Sequence, residues 1–224
     1  RVRNMIQTKV DSSKIPVLTG TVDRVISGNG DKQYFNSTMF LTPNHKYILY
    51  NKLHLVPFAE YIPLSGQFPS LKNLNFGQGN FSHGTEYTVF KWKNTKFSNL
   101  ICYESSIPKI VRKFIQNGAN LITIQTNDGW LGKSAGPYQH YDIAKIRAIE
   151  NRVPVIRSAN TGISGLILAN GISINEQPVG KTAVFTVSVP IGEAGSFYSQ
   201  YGDVFALICF VIFLLLGPLT CLRK

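Results

Sequence analysis

The sequence predicts an α/β or α+β sandwich with helices packed on its sheets, followed by one membrane-spanning helix at the C-terminus. Three observations carry this. Short β-type runs alternate with two helical stretches in the middle of the chain, and hairpins lie on either side of them. With 224 residues and 44% hydrophobic content, the chain has enough apolar material for one sizeable core. The stretch Val204 to Leu222 then runs for 19 residues without a charge, close to the ~20 that a bilayer requires.

Taken in order, Arg1 to Lys14 is polar and basic and shows no clear period. Ile15 to Val22 and Phe35 to Thr42 read as strands, joined by the Gly-Asn-Gly-Asp turn at Gly28 to Asp31. Lys46 to Tyr50 is a third strand. The loop from Pro57 to Gly84 is rich in Gly, Pro and Asn, yet carries Phe68, Leu71, Leu74, Phe76 and Phe81. Loops of that length are usually functional or disordered, and the apolar content favours a lid over a substrate site. Glu86 to Trp92 and Phe97 to Ile101 form a hairpin. Ile107 to Gln116 is an amphipathic helix closed by Asn117-Gly118. Ala119 to Thr126 is a fully buried strand, and Tyr138 to Asn151 a helix with Ile143, Ile146 and Ile149 on one face. Val153 to Ser158, Ile163 to Leu168, Ile172 to Ile174 and Thr182 to Val189 complete the strands.

Residues 1–195 therefore make the folded domain, 196–203 a linker and 204–222 the span. Phe197, Tyr198 and Tyr201 suit an interfacial aromatic belt, and the Arg223-Lys224 tail places the C-terminus in the cytoplasm with the domain on the outer face. The chain does not begin with Met and carries no signal peptide, so a translocated domain implies a segment upstream of Arg1. Lys plus Arg outnumber Asp plus Glu by 23 to 12, and the excess is scattered without any nucleic-acid motif. That pattern points to anionic lipid head groups as the partner surface. Three widely spaced cysteines fit neither a disulfide framework nor a zinc site, so no metal or cofactor is expected.

Two clusters carry chemistry. Cys102 sits where the strand Phe97 to Ile101 turns into a helix, so nearby backbone N–H groups can favour a thiolate or an oxyanion. Glu104 follows two residues later. The second cluster is Lys52, His54 and Glu60, with Lys52 directly after a strand and Glu60 just past a proline turn. A fixed cation beside a thiol suits acyl transfer, because an ammonium stabilises both the thiolate and a tetrahedral oxyanion.

Tyr50-x-Lys52-x-His54-Leu55, Cys102-Tyr103-Glu104 and Asn127-Asp128-x-Trp130 resemble the nitrilase (carbon-nitrogen hydrolase) superfamily. Within it, His54 to Pro63, Asn127 to Gly132, Gly136-Pro137-x-Gln139-His140, Arg157 to Gly162 and Tyr201-Gly202-Asp203 are similar to the apolipoprotein N-acyltransferase family. The resemblance implies a nitrilase-like α-β-β-α sandwich, N-terminally incomplete, working through a Glu–Lys–Cys triad. It implies Cys102 as the nucleophile that takes an acyl chain from a phospholipid donor, Lys52 as the oxyanion-stabilising lysine, and Glu60 as the glutamate that positions both. Tyr103, Glu104 and Trp130 would shape the substrate site. The acceptor would be the α-amino group of a diacylated lipoprotein, at a bacterial inner membrane. The family's general-base glutamate and its N-terminal membrane helices lie upstream of anything in this chain. The resemblance thus implies the C-terminal part of an enzyme, weakly active or inactive alone and completed by an upstream segment or a companion chain. A membrane-tethered amidase using water, or a non-catalytic piece, are the other readings.

Overall fold

The computed structural model describes residues 2–221 apart from Ser27, Asn29, His45, Gly66, Pro69 and 72–79, and of residues 216–221 it describes the backbone alone. Two sheets stack face to face. The first has the order β1 (Val17–Ile26), β2 (Lys32–Thr42), β3 (Lys46–Asn51), all antiparallel. The second has six strands in chain order: β4 (Phe90–Trp92), β5 (Thr95–Ile101), β6 (Leu121–Thr126), β7 (Val155–Ala159), β8 (Ser164–Ile167) and β9 (Ser173–Gln177). β5, β6 and β7 are parallel, and the outer pairings are antiparallel.

The period of two in β2 sorts its side chains between the layers. Phe40 points into the sandwich and meets Phe90 and Phe97, with ring centroids 5.5 and 5.1 Å away. Thr38, on the same face, receives Asn99 Nδ2 at 2.7 Å and donates to Gln125 at 3.2 Å, which ties the sheets by polar bonds as well. Met39 and Leu41 point outward, where α1 (Val2–Ser13) covers them with Val10 and Ile6. α2 (Pro108–Gln116) and α3 (Gly136–Asn151) cover the other sheet with Ile110, Val111, Phe114, Ala144 and Ala148. The result is the α-β-β-α layering. Each fully buried Leu, Ile or Phe in it contributes roughly 1.5–3 kcal/mol.

α2 begins with Pro108 in its first turn, where a missing N–H costs nothing, and closes at Asn117 with Gly118 at φ +93°. The structure departs from the sequence reading at four places. Residues 2–13 are helical, since Ile6 and Val10 alone make a stripe wide enough to cap β2. The buried face of α3 is His140, Tyr141, Ala144, Ala148 and Asn151, while Ile146 and Ile149 are exposed; the two alanines let the helix approach the sheet closely. Residues 182–189, with Phe185, Val187 and Val189 half-buried, form no strand because nothing among the described residues pairs with that backbone.

The fourth departure is the membrane span. Val204–Cys221 forms α5, after the short α4 (Phe197–Tyr201) in the linker. Among the described residues no helix is long and apolar enough to cross a membrane. The described side chains, 204–215, reach roughly 18 Å along a helix, well short of the ~30 Å hydrocarbon core. Of residues 216–221 only the backbone is described, and Leu222, Arg223 and Lys224 lie outside the described residues, as do Leu74 and Phe76 of the long loop. All described side chains from Phe205 to Leu215 are exposed, so the domain offers this apolar helix no cover.

Candidate active site

The parallel strands β5, β6 and β7 end at one edge of their sheet, where open α/β sheets place their ligands. Cys102 comes directly after β5. It opens a 3₁₀ turn, Cys102–Ser106, with a left-handed φ of +53°. For a non-glycine residue that conformation costs about 1–2 kcal/mol, so its surroundings must hold it. They do so through Ser105 Oγ, which donates to the Cys102 carbonyl at 3.0 Å, and through Glu104, which accepts from Ile101 N at 2.8 Å. The thiol-bearing residue is half-buried.

Lys52 follows β3 and is 1% exposed. Its backbone N donates to Asn36 O at 2.8 Å, and its carbonyl accepts from Gly84 N at 2.8 Å. Gly84 has to be glycine, because a Cβ there would collide with the Asn51 carbonyl. The ammonium lies on Glu60, 2.9 Å from Oε1 and 2.7 Å from Oε2. Glu60 is delivered by the tight turn of residues 57–61, in which Phe58 is also left-handed. Its carboxylate further accepts from Asn36 Nδ2 at 2.7 Å and Val56 N at 2.8 Å. Lys52 thus has two donor hydrogens engaged on one carboxylate and a third directed elsewhere.

Glu104 joins the two clusters. It is fully buried, and its Oε1 accepts from Tyr50 Oη at 2.8 Å, Leu53 N at 2.8 Å and His54 N at 3.1 Å. One carboxylate therefore fastens the segment beside Lys52 to the turn that carries Cys102. Burial pushes the Glu104 carboxyl above its usual range, against the pull of its donors and of Lys52. Burial and the neighbouring Glu104 push the Tyr50 hydroxyl up in turn. Glu104 was expected to line the substrate site, but its oxygens are enclosed and fully engaged, so it braces the site from behind. Tyr103 and Trp130, in contrast, are exposed, with Trp130 on the 3₁₀ turn after β6 (Asp128–Leu131). His54 approaches the Tyr103 ring, with centroids 6.1 Å apart.

A second buried network lies under the nucleophile turn. Asp128 receives Arg157 Nη2 at 2.7 Å and Thr126 Oγ1 at 2.8 Å, and its Oδ1 is 2.9 Å from His140 Nδ1. His140 Nε2 is 2.8 Å from Ser105 Oγ and 3.2 Å from the Cys102 carbonyl. Arg157 also donates to Ile163 O. Gly162 leaves the room that this needs, since a Cβ there would strike the Asp128 carboxylate. Burial alone would raise the Asp128 carboxyl, but the bonds from His140 and Arg157 and the guanidinium charge outweigh it and hold it down at about 2, below the ordinary 3.8. A carboxylate held down in this way stabilises the fold above its unfolded value and loses that contribution as pH falls through its folded value. The shift corresponds to about 2 kcal/mol. In detergent, urea unfolding is expected to lose about that much between pH 5 and pH 2 beyond what Asp128→Asn loses. Equal losses in both proteins would contradict the assignment.

The carbon-nitrogen hydrolase family pattern matches residues 6–192. The chain belongs to this family. The curated relatives that resemble this carbon-nitrogen hydrolase include apolipoprotein N-acyltransferases of Geobacter metallireducens, 38% identical over 86% of the chain and 37% of the relative, and of Chlorobaculum tepidum, 34% identical over 94% and 42%. The chain thus spans about two fifths of the length of these relatives. Solved structures with the same fold include Nit3 of Saccharomyces cerevisiae, a member of the nitrilase superfamily (TM-score 0.59, 18% identity, 80% of this chain and 61% of that one). A carbon-nitrogen hydrolase of Helicobacter pylori is similar too (TM-score 0.61, 14% identity, 79% and 62%).

The structure brings Lys52 and Glu60 together directly, and ties both to the Cys102 turn through Glu104. Sequence reasoning assigned no role to Asn36, Tyr50, Ser105, Asp128, His140 or Arg157. Tyr50, Asp128, His140 and Arg157 lie in motifs that carried the family resemblance, and that was the signal available. Asn36 lies 24 residues from Glu60 in sequence and had none.

Proposed function

We propose that this chain carries the acyl-transfer centre of a longer membrane enzyme. It would move a fatty acyl group from a phospholipid, through a thioester on Cys102, to the N-terminal amine of a diacylglyceryl-cysteine lipoprotein. The observation that carries this reading is the buried Lys52–Glu60 pair, fastened by Glu104 to the strained turn that presents Cys102. The names of the curated relatives support the acceptor class.

In the first half-reaction the Cys102 thiolate attacks the ester carbonyl. A C–S bond forms, the C–O bond breaks, and the lysophospholipid leaves with a proton. In the second, the lipoprotein amine attacks the thioester, a C–N bond forms, the C–S bond breaks, and the amine gives up a proton. Splitting one amide formation into two such steps is covalent catalysis. Lys52 places its third donor hydrogen on the developing oxyanion, and Glu60 fixes that ammonium. Tyr103 and Trp130, being exposed, are available to flank the acyl chain. α5 anchors the centre to the inner membrane, with the domain on the outer face, through the apolar side chains that the domain leaves uncovered.

One observation favours a dependent piece over a self-sufficient enzyme. Proton transfer at the thiol needs a positioned base, worth ~10²–10⁴-fold in rate. Lys52 is a cation, Glu60 is engaged by Lys52, Asn36 and Val56, and Glu104 is enclosed by four donors. The outer edge of β1, unpaired among the described residues, and the strandless stretch 182–189 are further places where added chain could pair. The 224-residue chain alone is expected to acylate Cys102 slowly, and to turn over at least about 100-fold faster when the upstream part of a relative is supplied. The assay follows labelled phospholipid and a diacylglyceryl lipopeptide in detergent. Rapid turnover by the chain alone would make Glu60 or Glu104 the base, and release of free fatty acid instead of N-acylated peptide would favour a hydrolase.

A further inference from the structure

We propose that His140 is a positioning residue for Cys102, its Nε2–H holding the Cys102 carbonyl and with it the left-handed backbone that presents the thiol. This rests on the reading of Cys102 as the nucleophile. The bond inventory sets the direction. The hydroxyl of Ser105 has one hydrogen, and its geometry places that hydrogen on the Cys102 carbonyl at 3.0 Å. Ser105 Oγ must then accept from its other close neighbour, His140 Nε2 at 2.8 Å. The same Nε2–H reaches the Cys102 carbonyl at 3.2 Å. The Cys102 carbonyl thereby gains side-chain donors beside the 3₁₀ bond from Ser105 N, and with Nδ1 donating to Asp128 the ring bears a hydrogen on both nitrogens and pairs with that carboxylate as an ion.

The imidazole is well placed to act as a rigid strut. It is 8% exposed, sits on the buried face of α3, and has its other nitrogen fixed 2.9 Å from Asp128, which Arg157 holds from the far side at 2.7 Å. Asp128 follows β6 and Arg157 lies in β7, so the strut refers the nucleophile turn back to the two parallel strands beside β5. A residue that served packing alone would not need both ring nitrogens committed, one to a carboxylate and one to the nucleophile's own carbonyl.

The two amide side chains separate the roles. Gln places its amide nitrogen where Nε2 stands, and Asn places its amide where Nδ1 stands. The experiment uses the full chain with Cys209→Ser and Cys221→Ser, in detergent, and reads the second-order rate of Cys102 alkylation by iodoacetamide from intact mass. His140→Gln is expected to stay within about threefold of the parent, and His140→Asn to fall by at least about tenfold, at matching circular dichroism. Retention by Asn with loss in Gln would overturn the proposal, as would unchanged rates in both. Should His140→Asn unfold, Ser105→Ala decides: it deletes only the bridging hydroxyl and is expected to slow alkylation about threefold, and a parental rate would overturn the proposal. The nucleophile reading is judged separately, by whether the parent forms a thioester from phospholipid. The ratios of alkylation rates report on His140 whether or not that thioester forms.

Discussion

Cys102→Ala is expected to abolish the phospholipid-derived acyl-enzyme completely while leaving the protein folded. The thiol is half-buried at the end of β5, so removing its sulfur costs on the order of 1 kcal/mol at most. The chemistry has no substitute, because only a thiolate forms the thioester. Cys102→Ser should behave almost as badly, since a serine hydroxyl is a much poorer nucleophile than a thiolate and no group described at the site is free to deprotonate it. Two other thiols make the experiment discriminating. Cys209 is exposed on α5, and Cys221 lies at the end of that helix. The check is labelled phospholipid followed by peptide mass analysis and a thermal melt. Acyl label on Cys209 or Cys221 in Cys102→Ala would contradict the assignment.

The second large effect belongs to Lys52. Lys52→Met removes a buried cation and leaves the Glu60 carboxylate, 14% exposed, with Asn36 and Val56 as its donors among the described residues. Breaking one side of such a pair costs about 3–5 kcal/mol, and the residual exposure of Glu60 puts this case near the lower value. Neutralising the other side as well, in Lys52→Met with Glu60→Gln, is expected to recover most of that stability. It should not recover acylation, which both variants lose by at least about 100-fold because the oxyanion donor is gone. Urea unfolding and thioester formation, measured on the same preparations, separate the two roles. Recovery of acylation in the double variant would show that Lys52 matters for folding alone.

Much of this was legible in the residues. The strand-to-helix turn at Cys102, the buried strand that becomes β6 and the helix ended by Asn117-Gly118 follow from short-range patterns of apolar spacing and turn residues. The pairing of Lys52 with Glu60 followed from the family resemblance. What was not legible depended on long-range partners. Glu104 looked like a substrate-facing carboxylate, because nothing local shows that Tyr50, Leu53 and His54 fold over it. The α3 isoleucines looked like a core face, and two alanines won that position because they fit closer to the sheet. Residues 182–189 carry a strand pattern, yet a strand exists only where another backbone completes its ladder. The network of Asp128, His140 and Arg157 stayed hidden because its members are 12 to 29 residues apart.

The most direct test of the central claim is the mass of the Cys102 peptide after the chain, supplied with the upstream part of a relative, meets a phospholipid of known acyl composition. One added acyl group is expected on Cys102, labile to hydroxylamine as a thioester is, which disappears as an N-acylated peptide forms once a diacylglyceryl lipopeptide is added. N-acylated product forming while Cys102 stays free, or acyl label resting on any other residue, would contradict it.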